Sequence, residues 1–323
     1  MSNKPAQNTQ DTFIRAAKYL WTEYSLLFIL ILMFVVFGSI APRFATVSNI
    51  FIILRQASPI GMIALGMTFV IITGGIDLSA GHILAAAGTV LIYIQRNPEI
   101  PLAVAILACL VAATFVGFIN GNLITRFRLP AFIVTLAVGT ILRSLSMFWL
   151  RGLTIAGRAV PEFTQIGNGW IGPLPTPLVI WGSFAILLGC VLAYTKFGSY
   201  VYAVGGNEQA AKYSGIPVNK IRILAYMLSG FCVGVATVLE LSRMAAVNAA
   251  NSGLLFEFDA ITAAIIGGVA ISGGRGKIKG AFLGMIIIGL VSNLMIMMGF
   301  SPFLSGTVKG VIILAAVLMQ KRD

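Results

Sequence analysis

Apolar residues run in blocks about as long as a hydrocarbon core is thick, and polar residues are confined mostly to the intervals between them. A helix needs about 20 residues to cross such a core. Blocks near that length fall at residues 24–41, 58–73, 80–94, 101–123, 131–150, 177–195, 222–243, 257–273, 280–298 and 303–319. The pattern predicts an all-α integral membrane protein of about ten transmembrane helices, the second and third readable as one broken unit. Residues 1–23 form a polar tail carrying Lys4, Arg15 and Lys18, and residues 24–320 form a single membrane domain. No small-residue cleavage site follows the first block, so it is expected to be an uncleaved helix rather than a signal peptide.

Composition agrees. Of 323 residues 58% are hydrophobic and 10% charged, too few polar groups to coat a water-facing globule. The net charge of +12 does not point to nucleic acid, because the bases are scattered through inter-helix turns instead of forming a stripe. They do set an orientation. With the N-terminus cytoplasmic, 14 of the 22 bases fall on inside segments and 6 on outside ones, with Arg143 and Lys309 inside predicted helices. That bias predicts both termini in the cytoplasm of a multi-pass inner-membrane protein surrounded by lipid. Cys109, Cys190 and Cys232 lie in apolar runs without ligand spacing, and His82 is the sole histidine. No metal site or disulfide framework is expected.

Gly74-Gly75-Ile76-Asp77-Leu78-Ser79-Ala80-Gly81 resembles Gly267-Gly268-Val269-Ala270-Ile271-Ser272-Gly273-Gly274, and Asn122-Leu123 and Phe132 echo Asn293-Leu294 and Phe303 in the same order. A duplicated five-helix unit follows as an expectation, since transporters are often built from repeats. A glycine in a spanning helix either lets two backbones approach or loosens the helix. The pairs Gly74-Gly75 and Gly267-Gly268, at the ends of apolar runs, are the candidates for interruptions.

Lys196 to Lys220 is the longest loop on the predicted cytoplasmic side apart from the tail. Within it Asn207 is a helix cap and Glu208 complements the helix dipole. Gln209-Ala210-Ala211-Lys212-Tyr213 favour a helix, and Ser214-Gly215 followed by Pro217 stops it. Two helical turns are predicted at the membrane surface, rigid enough to receive force from a soluble partner.

Three stretches in this order carry a family resemblance: Gly66-Met67-Thr68 through Ser79, then Gly205-Gly206-Asn207-Glu208 with Ala210-Ala211 and Ser214-Gly215-Ile216, then Gly267-Gly268 to Gly273-Gly274-Arg275-Gly276. Over residues 24–320 the chain resembles the permease subunit of a bacterial ABC sugar importer of the ribose, xylose and galactose type. The resemblance implies a homodimer of permease chains, a separate cytoplasmic ABC ATPase that hydrolyses ATP, and a periplasmic sugar-binding protein. It maps the ATPase-coupling helix onto Asn207 to Gly215, and it places the segments around Asp77 and Gly267 to Gly276 beside the pathway. It does not fix the sugar.

This chain is not expected to bind ATP or any other cofactor itself. Gly273-Gly274-Arg275-Gly276-Lys277 comes nearest to a phosphate-binding loop, but Ile278 stands where Ser or Thr must hold Mg²⁺, and no Gly stands five positions before Gly276. No catalytic constellation appears, so it is not read as an enzyme. The residues assigned to a pathway or hinge are Gly74, Gly75, Asp77, Ser79, Asn122, Gly267, Gly268 and Asn293, with Asn120 and Asn248 as further donors to sugar hydroxyls. Glu240, Glu257 and Asp259 are expected near the outer surface. The alternative is an ion-coupled secondary transporter of a small polar solute in which Asp77 carries the coupling ion.

Overall fold

Thr46 begins the helix on which the rest of the bundle is built: its hydroxyl accepts the Asn49 N–H at 3.3 Å and caps a helix of 26 residues. The computed structural model describes residues 24–301 except Ala159, together with 306–308, 310, 311 and 314. The tail 1–23 and most of the tenth predicted segment lie outside the described residues. In chain order the helices are α1 (Tyr24–Ile40), α2 (Val47–Ile72), α3 (Ala80–Gln95), α4 (Leu102–Phe127), α5 (Ala131–Trp149), α6 (Pro161–Asn168), α7 (Thr176–Tyr194), α8 (Lys196–Gly206), α9 (Glu208–Tyr213), α10 (Val218–Met244), α11 (Phe256–Ile266) and α12 (Ile278–Met297). Six of them, α2, α4, α5, α7, α10 and α12, are long and apolar enough to cross a membrane, and α1 and α3 are shorter apolar helices.

α2 and α10 are buried for most of their length, whereas α4, α5 and α7 turn most of their surface outward. The inner helices approach through glycine. A Cβ on Gly117 of α4 would stand 2.2 Å from the Tyr226 carbonyl oxygen, and one on Gly230 of α10 would stand 2.4 Å from that of Ala113. Lipid tails are as apolar as leucine, so helices in a membrane associate through close packing rather than hydrophobic transfer, and small residues four apart allow it. Gly117 and Gly121 on α4 admit the α10 backbone at Tyr226 and Ile223, and Gly230 and Gly234 on α10 admit α4 at Ala113 and Leu110.

Three elements depart from the sequence expectation. α2 starts at Val47 instead of 58, because Asn49 and Arg55, polar on paper, both find partners: Asn49 meets α12 and the Arg55 guanidinium lies 5.2 Å from the centre of the Trp170 ring. The apolar run 257–273 is helical only to Ile266, since Gly268 turns left-handed at φ +83° and the Ile265 carbonyl is met by the Gly268 N–H. The fold is also not wholly helical: Thr154–Ala156 (β1) pairs antiparallel with Ala246–Asn248 (β4), and Trp170–Ile171 (β2) with Leu174–Pro175 (β3). These short ladders close the end of the bundle opposite α9.

Asn293, assigned to the pathway by sequence, sits 6% exposed on α12 and exchanges two hydrogen bonds with Asn49 of α2: Asn49 Nδ2 donates to Asn293 Oδ1 at 2.9 Å, and Asn293 Nδ2 to Asn49 Oδ1 at 3.1 Å. Asn49 Nδ2 also donates to the Phe44 carbonyl at 2.9 Å, tying the α1–α2 turn to the same clasp. Asn49→Leu and Asn293→Leu are each expected to lower the stability of the purified protein, and the double variant less than their sum, with a coupling of roughly 0.5–1.5 kcal/mol. Denaturation of the four proteins in mixed detergent measures it, and strict additivity would mean the clasp contributes nothing.

Candidate functional site

α9 is built as the sequence leads one to expect. The Asn207 side chain accepts the Ala210 N–H at 2.9 Å. Glu208 occupies the first turn, and its carboxylate meets the Arg222 guanidinium of α10 at 2.7 Å. The helix ends in a paired bond: the Gly215 N–H donates to Lys212 O at 3.1 Å and the Ile216 N–H to Ala211 O at 3.0 Å, with Gly215 left-handed at φ +78°. That pattern satisfies the last carbonyls and needs glycine. Ala211 is buried against the bundle, while Tyr213 is 89% exposed and Gln209 also faces outward.

Directly before α9 comes α8, which the sequence reading had left inside a loop. Thr195 caps it by accepting the Gly198 N–H at 3.2 Å. Its last residues meet the bundle backbone to backbone. A Cβ on Gly205 would fall 1.6 Å from the Ile72 carbonyl oxygen and 2.6 Å from the Gly274 nitrogen, so no other residue fits there without a shift of backbone. The Gly274 N–H itself donates to Ile72 O at 2.9 Å. The Tyr202 hydroxyl donates to Gly276 O at 2.6 Å, and burial pushes that phenol above its ordinary pKa, which keeps the donor neutral. Three glycine-rich stretches more than 60 residues apart in sequence, 74–75, 205–206 and 273–276, thus converge at the carbonyl end of α2.

Beyond Ile72 the chain breaks. Gly74 is left-handed at φ +80°, and the Gly74 and Gly75 N–H groups close α2 on Ile71 O and Val70 O. α11 ends identically one residue out of register with the sequence match: Gly268 takes the place of Gly74, and the Gly268 and Val269 N–H groups close on Ile265 O and Ala264 O. Gly267 instead packs on Gly280 of α12, where a Cβ would stand 2.3 Å from the Gly280 carbonyl carbon.

Asp77 is fully buried in the break between α2 and α3. Its Oδ1 accepts the Ser79 hydroxyl and, at 3.0 Å, the Ser79 N–H. Its Oδ2 accepts the Ser229 hydroxyl of α10 at 3.1 Å. Asn120 of α4 donates to the Ser79 hydroxyl at 2.8 Å, Thr135 of α5 accepts the Leu78 N–H at 3.0 Å, and Tyr226 of α10 donates to Ile76 O at 3.3 Å. Ser229 is the twelfth residue of α10, so the break lies about 16 Å from that helix's start. α5 and α10 therefore re-satisfy backbone groups of a stretch that crosses apolar surroundings outside any helix, and α4 joins the network through the Ser79 hydroxyl.

The other polar residues named from sequence are dispersed. Asn122 donates to Phe118 O of its own helix at 2.8 Å. Asn248 sits in β4, bonded to Thr154 at 2.8 Å and accepting the Ala250 and Asn251 N–H groups. Glu240 is buried and paired with Arg243 at 2.9 Å. Glu257 and Asp259 are buried too, in the first turn of α11, where the helix dipole favours acids. His82 packs against Gly139 of α5. No group of three metal-capable side chains occurs among the described residues.

Sequence reasoning passed over Arg143. Its guanidinium, about two-thirds of the way along α5, donates to Ala249 O at 2.9 Å and Ala250 O at 2.7 Å, with Gly81 O and Ser252 O at 3.4 Å. It binds the β4–α11 connector to the first turn of α3. The signal was available, since a cation inside an apolar span is rarely kept without a use.

The profile of a family described as "Branched-chain amino acid transport system / permease component" matches residues 49–317. The ribose import permease protein RbsC of Escherichia coli K12 is 37% identical over 311 residues, covering 94% of this chain and 95% of the relative. RbsC of Bacillus subtilis 168 is 38% identical, covering 92% and 91%, and the L-arabinose transport system permease protein AraH of Escherichia coli K12 is 33% identical, covering 94% and 91%. No solved structure matches. With a matching profile over most of its length and relatives aligned nearly end to end, the chain belongs to this family of transport-system permease components.

Proposed function

We propose that this chain is the translocation subunit of an ATP-driven, binding-protein-dependent importer of a monosaccharide, a pentose such as ribose or arabinose first among the candidates. The family description names branched-chain amino acids, but the three relatives are named for ribose and arabinose, and each aligns over at least nine-tenths of both chains. Two copies form the pathway in the bacterial inner membrane, both termini face the cytoplasm, and ten spans fall into two five-helix halves whose corresponding breaks follow Ile72 and Ile266. The chain holds no cofactor, and ATP is hydrolysed by a cytoplasmic partner. The β1–β4 end faces the periplasmic sugar-binding protein.

The observation that carries this reading is α9. It is short, capped at both ends, exposed along one side, and joined through Gly205-Gly206 to the end of α2 and the α11–α12 connector. A passive pore or a self-sufficient carrier has no use for such an element, whereas a subunit driven from outside needs one.

Replacing Asn207 by Ala removes a cap, and placing Val at Gly215 forces a β-branched residue into the left-handed region. Together they oppose α9 by about 2 kcal/mol or more, roughly 30-fold in its helical population. Loss of ATPase co-purification and of ATP-driven uptake in proteoliposomes is the expected outcome, with the membrane fold retained; intact association would sink the assignment of α9.

Asp77 separates this reading from an ion-coupled carrier. Both its oxygens are occupied within the protein, Oδ1 by Ser79 of the break and Oδ2 by Ser229 of α10. Asp77→Asn should therefore keep ATP-driven uptake within a few-fold, while Asp77→Leu, which strands buried hydroxyl and amide donors, should destabilise the protein by about 1–3 kcal/mol. Uptake of labelled ribose and arabinose with and without the ATPase, the binding protein and an ion gradient decides it: gradient-driven uptake abolished by Asp77→Asn would move the assignment to a secondary transporter.

A further inference from the structure

α9 is too small to hold a partner by itself. Its 6 residues span about 9 Å. A specific complex buries about 800 Å² on each partner, and one face of a helix of that length, about 11 Å across, presents well under half of it. A subunit seated on α9 therefore also covers the surface beside it. That surface is concave: the end of α4, α9 and the start of α10 enclose a pocket of about 1040 Å³, with Asn207, Glu208, Gln209 and Lys212 as its α9 wall.

Four bases and one acid line this pocket. Arg222 is held by Glu208 at 2.7 Å. Arg128 at the end of α4, Lys212 on α9 and Lys220 on α10 are exposed, and none of these three side chains has a hydrogen bond or an ion pair among the described residues. Three cations from three elements thus open onto one cavity, whose apolar lining includes the buried Ile124 and Val218. The rest of the chain has no acid to spare for them. Asp77, Glu240, Glu257 and Asp259 are buried, and Glu99 and Glu162 lie at the other end of the bundle. The tail 1–23 carries Lys4, Arg15 and Lys18 against Asp11 and Glu23, and the last three residues are Lys321, Arg322 and Asp323, so neither terminus carries an excess of acid. A second copy, at a net charge of +12, does not supply it either.

We propose that this pocket receives an acidic segment of the ATPase, whose carboxylates meet Arg128, Lys212 and Lys220 while α9 lies along the same subunit. The inference rests on the coupling role of α9 given above and adds the chemistry of the partner. Complementary charge steers encounter and fixes register, and a short helix needs a fixed register if a push is to arrive along one direction. An anionic lipid headgroup is the rival occupant. It fits less well, because its acyl chains would lie against Glu208, Gln209 and Lys212 of α9, and its phosphate would enter a pocket that already holds a carboxylate.

The chain in phosphatidylcholine nanodiscs, titrated with the ATPase that co-purifies with it at about 50 and about 500 mM salt, tests this. Wild-type affinity is expected to fall roughly 10-fold across that range. Arg128→Gln/Lys220→Gln, at two exposed and unpaired side chains, should leave the fold intact, weaken binding at low salt by roughly 3- to 30-fold and flatten the salt dependence. Carbodiimide, which joins an amine to a touching carboxylate, should couple Lys212 or Lys220 to one acidic stretch of the ATPase, located by mass spectrometry. Binding by the double variant equal to wild type, or no coupling to the ATPase from either lysine, overturns the proposal. So does a double variant that alters only the retention of added phosphatidylglycerol, which would assign the pocket to lipid. Asn207→Ala/Gly215→Val keeps the two readings apart: binding lost in that variant but unchanged in the pocket variant refutes the pocket alone, whereas binding kept by both sinks the assignment of α9 as well.

Discussion

In an apolar solvent a backbone that leaves its helix must find every hydrogen bond inside the protein, and this constraint governs the structure around residues 73–79. The α2–α3 break frees several amides and carbonyls at once. Ile72 O is met by the Gly274 amide, Ile76 O by Tyr226, the Leu78 amide by Thr135, and the Ser79 amide by Asp77. These partners come from α5, α10 and the α11–α12 connector, so the break exists only because those elements are already packed around it. Asp77 is part of the same accounting. Its carboxylate collects the Ser79 amide and hydroxyl and the Ser229 hydroxyl, and Asn120 extends the set to α4.

Such a network needs helices close enough for short side chains such as Ser, Thr and Asn to bridge them. Glycine supplies that closeness. Where α10 meets α4, backbone lies against backbone at Gly117 and Gly230, and where α2 meets α10, Gly66 lies against Ser229, the same residue that reaches Asp77. A larger residue at Gly66 would therefore act on the Asp77 network through helix spacing alone.

Much of this was legible in the sequence because it rests on local chemistry. The caps and stop signal of α9 are side-chain and glycine requirements within nine residues, and they emerge as read. Gly74-Gly75 announces a break because an apolar run ends there beside polar residues. What was not legible depends on distant partners. Asn49 looks like a residue outside any span until Asn293, 244 residues away, engages it. The run 257–273 looks like one helix because Val269 and Ile271 are apolar, but the left-handed turn at Gly268 ends it. Arg143 carries a signal, a cation within an apolar block, yet its partners are backbone carbonyls of a connector, which no pattern of side chains reveals. The β1–β4 ladder is three residues on each strand and joins segments about 90 apart, too short and too remote for periodicity to register.

If α9 receives force from the ATPase as proposed, the placement of the glycine junction bears on how that force reaches the membrane. Contacts between flexible side chains absorb a displacement by changing rotamer, and the energy is lost locally. At Gly205 there is no side chain to yield: the backbone of α8 rests on the Ile72 carbonyl and the Gly274 amide. Asn207, two residues on, is the cap of α9. A push on α9 along its exposed side is therefore delivered to the last carbonyl of α2 and to the connector that begins α12, and Ile72 stands next to the one stretch of α2–α3 that is not helical. Helices resist bending along their length, so under that role the displacement would be taken up where the regular hydrogen-bond ladder is already interrupted, at Gly74-Gly75 and Gly267-Gly268. On the proposed role of α9, a force entering at the junction would be converted to a change of helix direction at these breaks.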